Sequence, residues 1–228
     1  MKLSANTLKF IAIIAMTIDH VALLFVPMDS LLYVIMRVIG RLTAPMMCYF
    51  IAEGFRHTRS RRKYLMRMVI FAVIAQPAYS LMIGGGLRLN VMYTFAVSLV
   101  MLMILSGDWR INVYVQTLLF AVCICLSMLG DWGYLIPLWV LVFYRFRGDF
   151  RKQSLFFFST TIFVVIYQYL SAGVPLYQLA VLLALIPLSL YSGERGGSAG
   201  NLRKISKWGF YVYYALHIAV LVIIKSCL

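Results

Sequence analysis

Apolar runs follow one another along almost the whole chain, near residues 8–26, 31–53, 64–83, 91–106, 111–129, 132–144, 153–170, 175–191 and 209–224. A spanning helix needs roughly 20 residues. Nine such runs consume most of a chain of 228 residues and leave only short loops. They predict an all-α, polytopic transmembrane bundle of about nine spans in one domain, residues 1–228, with no room for a soluble catalytic domain. Only 12% of the residues are charged and 63% are hydrophobic, whereas a soluble domain carries about a quarter charged residues. That balance excludes a disordered tail, a coiled coil and a typical cytosolic enzyme. Turn signals separate the runs: Pro27 with Asp29, glycines at 84–86, Gly107-Asp108, Gly130-Asp131, Gly148-Asp149, Gly173 with Pro175, and the tract 192–201.

The net charge of +14 comes from 21 Lys+Arg against 7 Asp+Glu. The cations fall between apolar runs, so the positive-inside rule accounts for them without nucleic acid. With a cytoplasmic N-terminus, the inner segments carry Lys2, then Arg56, Arg59, Arg61, Arg62, Lys63 and Arg67. They continue with Arg110, then Arg145, Arg147, Arg151 and Lys152, then Arg195, Arg203, Lys204 and Lys207. The outer segments carry only Arg88 and Lys225. This asymmetry predicts N-terminus in and C-terminus out, with the first run a retained span rather than a cleaved signal. Cys48, Cys123, Cys125 and Cys227 lie in or beside apolar runs without a CxxC pair and read as packing residues.

Five ionisable residues interrupt the first two spans: Lys9, Asp19, His20, Arg37 and Arg41. An Asp or Arg at a span centre costs roughly 2.5–3.5 kcal/mol, so partners or a polar cavity must offset them. At about 1.5 Å per residue, His20 lies roughly 18 Å from the inner edge of the hydrocarbon core, and Arg37 and Arg41 roughly 9 and 15 Å below the outer edge. The two spans form an antiparallel hairpin, which sets Asp19 and His20 level with both arginines. Arg37 and Arg41 share a face, as do Lys9 and His20, eleven apart. Asp19 shares its side with Ala12, Ala15 and Ala22, which admit a close neighbour. Asp19 therefore pairs with Arg37 or Arg41. A structural salt bridge with a core histidine is one reading. A substrate site is the other, because two arginines and a histidine exceed the needs of one carboxylate.

Weaker candidates lie elsewhere. Glu53 and His57, four apart, form a helical pair or two metal ligands, too few for a metal site. His217 stands as a lone histidine in the last span, with Tyr211, Tyr213 and Tyr214 nearby as packing and interface residues. The glycine-rich tract 192–201 reads as a flexible loop and lacks a phosphate-loop lysine.

The stretch LKFIAIIAMTIDHVALLF and the segment RVIGRLTAPMMCYFIAEGFRHTRSRRKYLMRMVIFAVIAQPAY resemble the TraX family of F-pilin acetylation proteins of conjugative plasmids. The carrying pattern is Lys-x10-His ending in Ile-Asp-His, then Arg-x3-Arg with glycine before and proline after the second arginine. Glu-Gly-Phe-x-His-Thr and a basic run into Lys-Tyr-Leu-x-Arg complete it. The likeness is close over roughly the first 80 residues, and YYALH in the last span is also family-like. It implies a multi-pass enzyme of the bacterial inner membrane that moves acetyl from acetyl-CoA to the N-terminal amine of pilin. The family also looks distantly like the membrane acyltransferases that O-acetylate cell-surface sugars, which usually carry Arg where this chain has Lys9. A sugar hydroxyl as acceptor and a proton-coupled transporter are the alternatives, the latter without the paired halves usual for that class.

On that reading His20 is the base, or a nucleophile that carries the acetyl group. Asp19 holds Arg37 or Arg41, and one arginine donates to the thioester oxygen. Lys9, Arg41, Arg59, Arg62, Lys63, Tyr64 and Arg67 are the candidate cofactor-binding residues, with Glu53, His57 and His217 behind the first contacts.

Overall fold

The computed structural model describes residues 2–107, 111–194, 196 and 201–228, without the side chains of 201–207. Asp108, Arg110, Arg195, half of the glycine-rich tract and the side chains of Arg203, Lys204 and Lys207 thus lie outside the described residues. The elements are α1 (Ala5–Phe25), α2 (Leu31–Gly40), α3 (Thr43–His57), α4 (Arg61–Met82), α5 (Val91–Leu105), α6 (Val113–Ser127), α7 (Leu135–Arg145) and α8 (Phe150–Ala172). A 3-10 segment (Leu176–Ala184), α9 (Leu185–Ser189) and α10 (Asn201–Ser226) follow. Among the described residues, extended pairing is confined to two isolated bridges, Leu3 with Tyr191 and Leu89 with Gly130.

Five helical stretches are long and apolar enough to cross a membrane: Ala5–Phe25, Leu31–His57, Arg61–Met82, Phe150–Ala172 and Trp208–Ser226. Shorter apolar helices occupy Val91–Leu105, Val113–Ser127, Leu135–Arg145 and Leu176–Ser189. Many large apolar side chains on these helices are exposed, among them Phe10, Ile35, Val73, Phe163, Leu170, Leu216 and Ile223. Such a surface is stable against acyl chains and costly against water.

Caps explain where the helices start. Ser4, Ser30, Ser60, Asn90, Asn112 and Asp149 each accept from a backbone N–H of the following first turn. Gly173 ends α8 in the left-handed region, φ 65°. The second apolar run differs from expectation: it breaks at Arg41-Leu42 into α2 and α3. Pro45 has no N–H, so the Arg41 carbonyl loses its usual helical donor four residues on, and the chain turns there.

The chain forms two compact units, Met1–Met47 with Gly148–Leu228, and Cys48–Arg147. In the first, α1 packs against both α2 and α10, and the 3-10 segment packs against α2, α8 and α9. The α1 alanines Ala12, Ala15 and Ala22 are buried, which lets neighbouring backbones approach. Ahead of α1, Leu3 N–H donates to Leu190 O at 2.7 Å and Ala5 N–H to Glu194 O at 2.9 Å, tying the N-terminal strap to residues 190–194.

In the second unit, α5 packs against α4, α6 and α7. It is apolar on every side, and Met92, Phe95, Leu99, Met101 and Leu102 are buried. Asn90 anchors its start: Nδ2 donates to Ala72 O at 2.7 Å and Gln76 Oε1 at 2.8 Å, and Oδ1 accepts from Met92 N–H. Asn90→Ala removes a cap and strands a buried carbonyl and amide. It costs about 2–3 kcal/mol and lowers the unfolding midpoint in detergent. Asn112→Ala, an exposed cap, costs about 1 kcal/mol or less. Equal shifts for the two variants would contradict this account.

Candidate functional site

Helix α1 carries two polar contacts on two of its sides, both within the first unit. Toward α2, the Asp19 carboxylate takes both arginines: Oδ2 meets Arg37 Nη1 at 2.9 Å and Oδ1 meets Arg41 Nη2 at 2.7 Å. The sequence left open which arginine pairs with Asp19; one oxygen goes to each. Arg37 in the last turn of α2 and Arg41 at its C-cap stand one turn apart, so their guanidiniums reach the same carboxylate from successive turns.

Gly40 makes this approach possible. A Cβ there would overlap the Asp19 Oδ1, Cβ and Cγ atoms. The glycine of the Arg-x3-Arg pattern thus clears the space that the Asp19 side chain occupies. Thr43, just past the kink, donates Oγ1–H to the Ala12 carbonyl at 3.0 Å and fastens the start of α3 to α1.

The two arginines are not equivalent. Arg41 is 4% exposed, and each of its nitrogens is engaged: Nη2 with Asp19, Nη1 with Gln178 Oε1 at 2.8 Å, and Nε with the Arg37 carbonyl at 3.3 Å. Arg37 lies over the Tyr33 ring, 5.7 Å from its centroid. Among the described residues, its buried Nε has no hydrogen-bond partner. Two guanidiniums share one carboxylate, so the group carries an excess positive charge inside a span.

Toward α10, His20 meets a second histidine. His20 Nδ1 lies 2.7 Å from His217 Nε2. The rings are nearly coplanar, 15° apart, with centroids 5.0 Å apart. That separation is little more than the nitrogen–nitrogen distance plus two ring radii, so the rings meet edge to edge. His217 is therefore not alone, as the sequence suggested. It is 7% exposed, lies parallel to the Tyr213 ring with centroids 5.1 Å apart, and places Nδ1 2.8 Å from the Tyr213 carbonyl. A carbonyl only accepts, so His217 Nδ1 donates.

Tyr213 is likewise more than packing. Its hydroxyl lies 2.6 Å from Thr17 Oγ1. The single Thr17 hydroxyl proton goes to the Ile13 carbonyl at 2.9 Å, so the tyrosine donates to the threonine. Sequence reasoning missed Thr17 and Gln178, and gave Tyr213 only a packing and interface role. Spacing held part of the signal: Thr17 lies three residues before His20, and Tyr213 four before His217, each on its partner's face.

The remaining candidates divide between the units. Lys9 is half-buried on α1, eleven residues before His20 in the first unit. Arg59, Arg62 and Lys63 are exposed in the second unit, at and after the α3–α4 turn. Arg67 is half-buried over the Tyr64 ring, 5.5 Å from its centroid. Tyr64 is buried, and its hydroxyl fills the space beside Gly54 where a Cβ would meet it at 2.8 Å. Arg56 donates to the Tyr144 carbonyl at 2.8 Å and lies over that ring; Arg61 lies over the Phe55 ring.

Glu53 Oε1 accepts from Arg147 Nε at 2.7 Å, and Arg147 Nη2 donates to His57 Nε2 at 3.1 Å. His57 Nε2 is thus an acceptor and does not donate to Glu53. Among the described residues, no three His, Cys, Asp or Glu side chains gather into a metal-binding group.

The profile of one family, TraX protein, matches residues 4–225. The chain belongs to the TraX family. Its relatives include a protein of Dichelobacter nodosus described as "Probable fimbrial assembly protein FimC". That protein is 35% identical over 96% of this chain and 94% of its own length. An uncharacterized protein of Rickettsia prowazekii (strain Madrid E) is 35% identical over a shorter stretch, 38% of this chain and 32% of its own. No solved structure matches the chain significantly.

The Asp19 group yields an ordering of stabilities. Asp19→Asn leaves two guanidiniums without their carboxylate and costs about 3–5 kcal/mol. Arg37→Met leaves a one-to-one pair of Asp19 with Arg41 and costs less. Gly40→Ala lowers stability because the Asp19 side chain must move. Chemical unfolding in detergent checks the order; Arg37→Met matching Asp19→Asn would contradict it.

Proposed function

We propose that this TraX-family protein is an integral-membrane acetyltransferase that moves acetyl from acetyl-CoA to the N-terminal amine of a pilin subunit. The observation that carries the reading is the buried Arg37 Nε, which has no hydrogen-bond partner among the described residues and belongs to the arginine paired with Asp19, the residue next to His20. Acyl transfer needs a base and a fixed donor for the developing oxyanion. Arg37 keeps a buried N–H without a partner among the described residues, so Arg37 takes the oxyanion role and Arg41 holds Asp19 and Gln178 in place. The naming of the Dichelobacter nodosus relative as a fimbrial assembly protein supports pilin as the acceptor.

In the proposed reaction, the C–N bond forms as the amine attacks the thioester carbonyl. His20 accepts the amine proton, and Arg37 donates to the oxygen while the tetrahedral centre lasts. The C–S bond then breaks, and His20 returns the proton to the departing thiolate. Nine spans with the N-terminus inside put the basic turn between α3 and α4 at the cytoplasmic face of the inner membrane. There the exposed Arg59, Arg62 and Lys63 suit the cofactor's phosphates.

His20→Ala is expected to abolish transfer while the protein still inserts and accumulates. Arg37→Met is expected to lower kcat by about a hundredfold or more. Intact-mass measurement of a co-expressed pilin, with and without the protein, reads the acetyl increment. No increment on pilin, but one on a surface sugar, would replace the acceptor. Near wild-type transfer by His20→Ala would remove His20 from the chemistry.

A further inference from the structure

We infer that His217 is a positioning residue that dictates which nitrogen of His20 is the base. The protons along this chain of contacts can be followed from one end. The Tyr213 carbonyl only accepts, so His217 carries a proton on Nδ1, 2.8 Å away. The Arg37 and Arg41 guanidiniums outnumber the single Asp19 carboxylate beside His20, which disfavours a further positive charge there, so both rings are neutral. Neutral His217 then has a lone pair on Nε2. The 2.7 Å contact with His20 Nδ1 is a hydrogen bond only if His20 donates. His20 therefore holds its proton on Nδ1, and its Nε2 presents a lone pair.

Geometry supports the same order. The edge-to-edge, nearly coplanar rings align the Nδ1–H bond of His20 with the acceptor nitrogen. His217 is itself locked, with its ring parallel to Tyr213 and its Nδ1 on the carbonyl one turn back. Tyr213 is fixed to α1 through Thr17. The relay thus starts on the α10 backbone and ends at the free nitrogen of His20, with every intermediate group held at two points. When Nε2 takes a proton, the resulting cation keeps its hydrogen bond to neutral His217, so no partner has to reorient. The catalytic meaning of this relay rests on the acetyltransferase reading; the placement of the protons does not.

The test uses the full-length protein in lipid bilayers with ring-15N-labelled histidine, read by solid-state NMR at mildly alkaline pH. The chain has only 3 histidines, so single substitutions assign the signals. In the wild type, His20 shows Nδ1 protonated and Nε2 bare. In His217→Phe, which keeps a ring beside Tyr213 but no acceptor, His20 loses that preference and carries its proton on Nε2 in a substantial fraction. His217→Gln, whose amide oxygen can stand where Nε2 stood, restores Nδ1–H. In acetyl transfer, His217→Phe lowers kcat by about a hundredfold or more with KM for acetyl-CoA unchanged, and His217→Gln recovers most of the loss. A wild-type His20 protonated on Nε2, or one indifferent to His217→Phe, overturns the inference. Correct tautomers with no acceptor acetylated would sustain the inference and sink the enzyme reading. Acetyl transfer with His20 protonated on Nε2 would do the reverse.

Discussion

A carboxylate placed inside a low-dielectric span is tolerable only when its charge is met at close range, and Asp19 is met twice. That arrangement governs the rest of the first unit. It fixes how α1 and α2 face one another, requires a glycine at residue 40, and draws Gln178 of the 3-10 segment onto Arg41. It also leaves more positive than negative charge in the group. A purely structural ion pair would need one arginine. The second, with a buried nitrogen that has no partner among the described residues, is the feature that salt bridging does not explain.

The kink at Arg41-Leu42 belongs to the same economy of space. An uninterrupted helix from residue 31 to 57 would have been the simplest way to cross a bilayer. Pro45 breaks the ladder one turn after Arg41, and Thr43 fastens the new helix to the Ala12 carbonyl. The arginine therefore sits at a helix end, where its backbone and side chain both turn toward Arg37 and Asp19. In the second unit, a comparable close approach occurs at Gly54, where the Tyr64 hydroxyl takes the room a side chain would occupy.

Much of the Asp19 group was legible in the sequence because its signals are local. Helical pitch puts residues 37 and 41 on one face, hairpin depth levels them with residue 19, and the alanines of α1 mark the close side. The helical class followed from hydropathy in the same way. What pitch could not supply was the partner of His20, because His217 is separated from it by 197 residues, and no periodicity links two helices so far apart. The break in the second run was missed because the apolar pattern continues through it, although Pro45 was there to be read. The 3-10 geometry of Leu176–Ala184 was hidden by the same uniform hydropathy.

The histidine pair also has a consequence for biogenesis. Ribosomes make the chain from its N-terminal end at roughly 5–20 residues per second, so His20 waits roughly 10–40 s for the partner that lies 197 residues downstream. All of the Cys48–Arg147 unit is made in that interval, since the other unit is drawn from segments on either side of it. A nascent or truncated chain would hold the Asp19 ion pairs without the imidazole contact. The ion-paired half of the site can thus assemble as the first hairpin inserts, while the histidine contact must wait for the last helix.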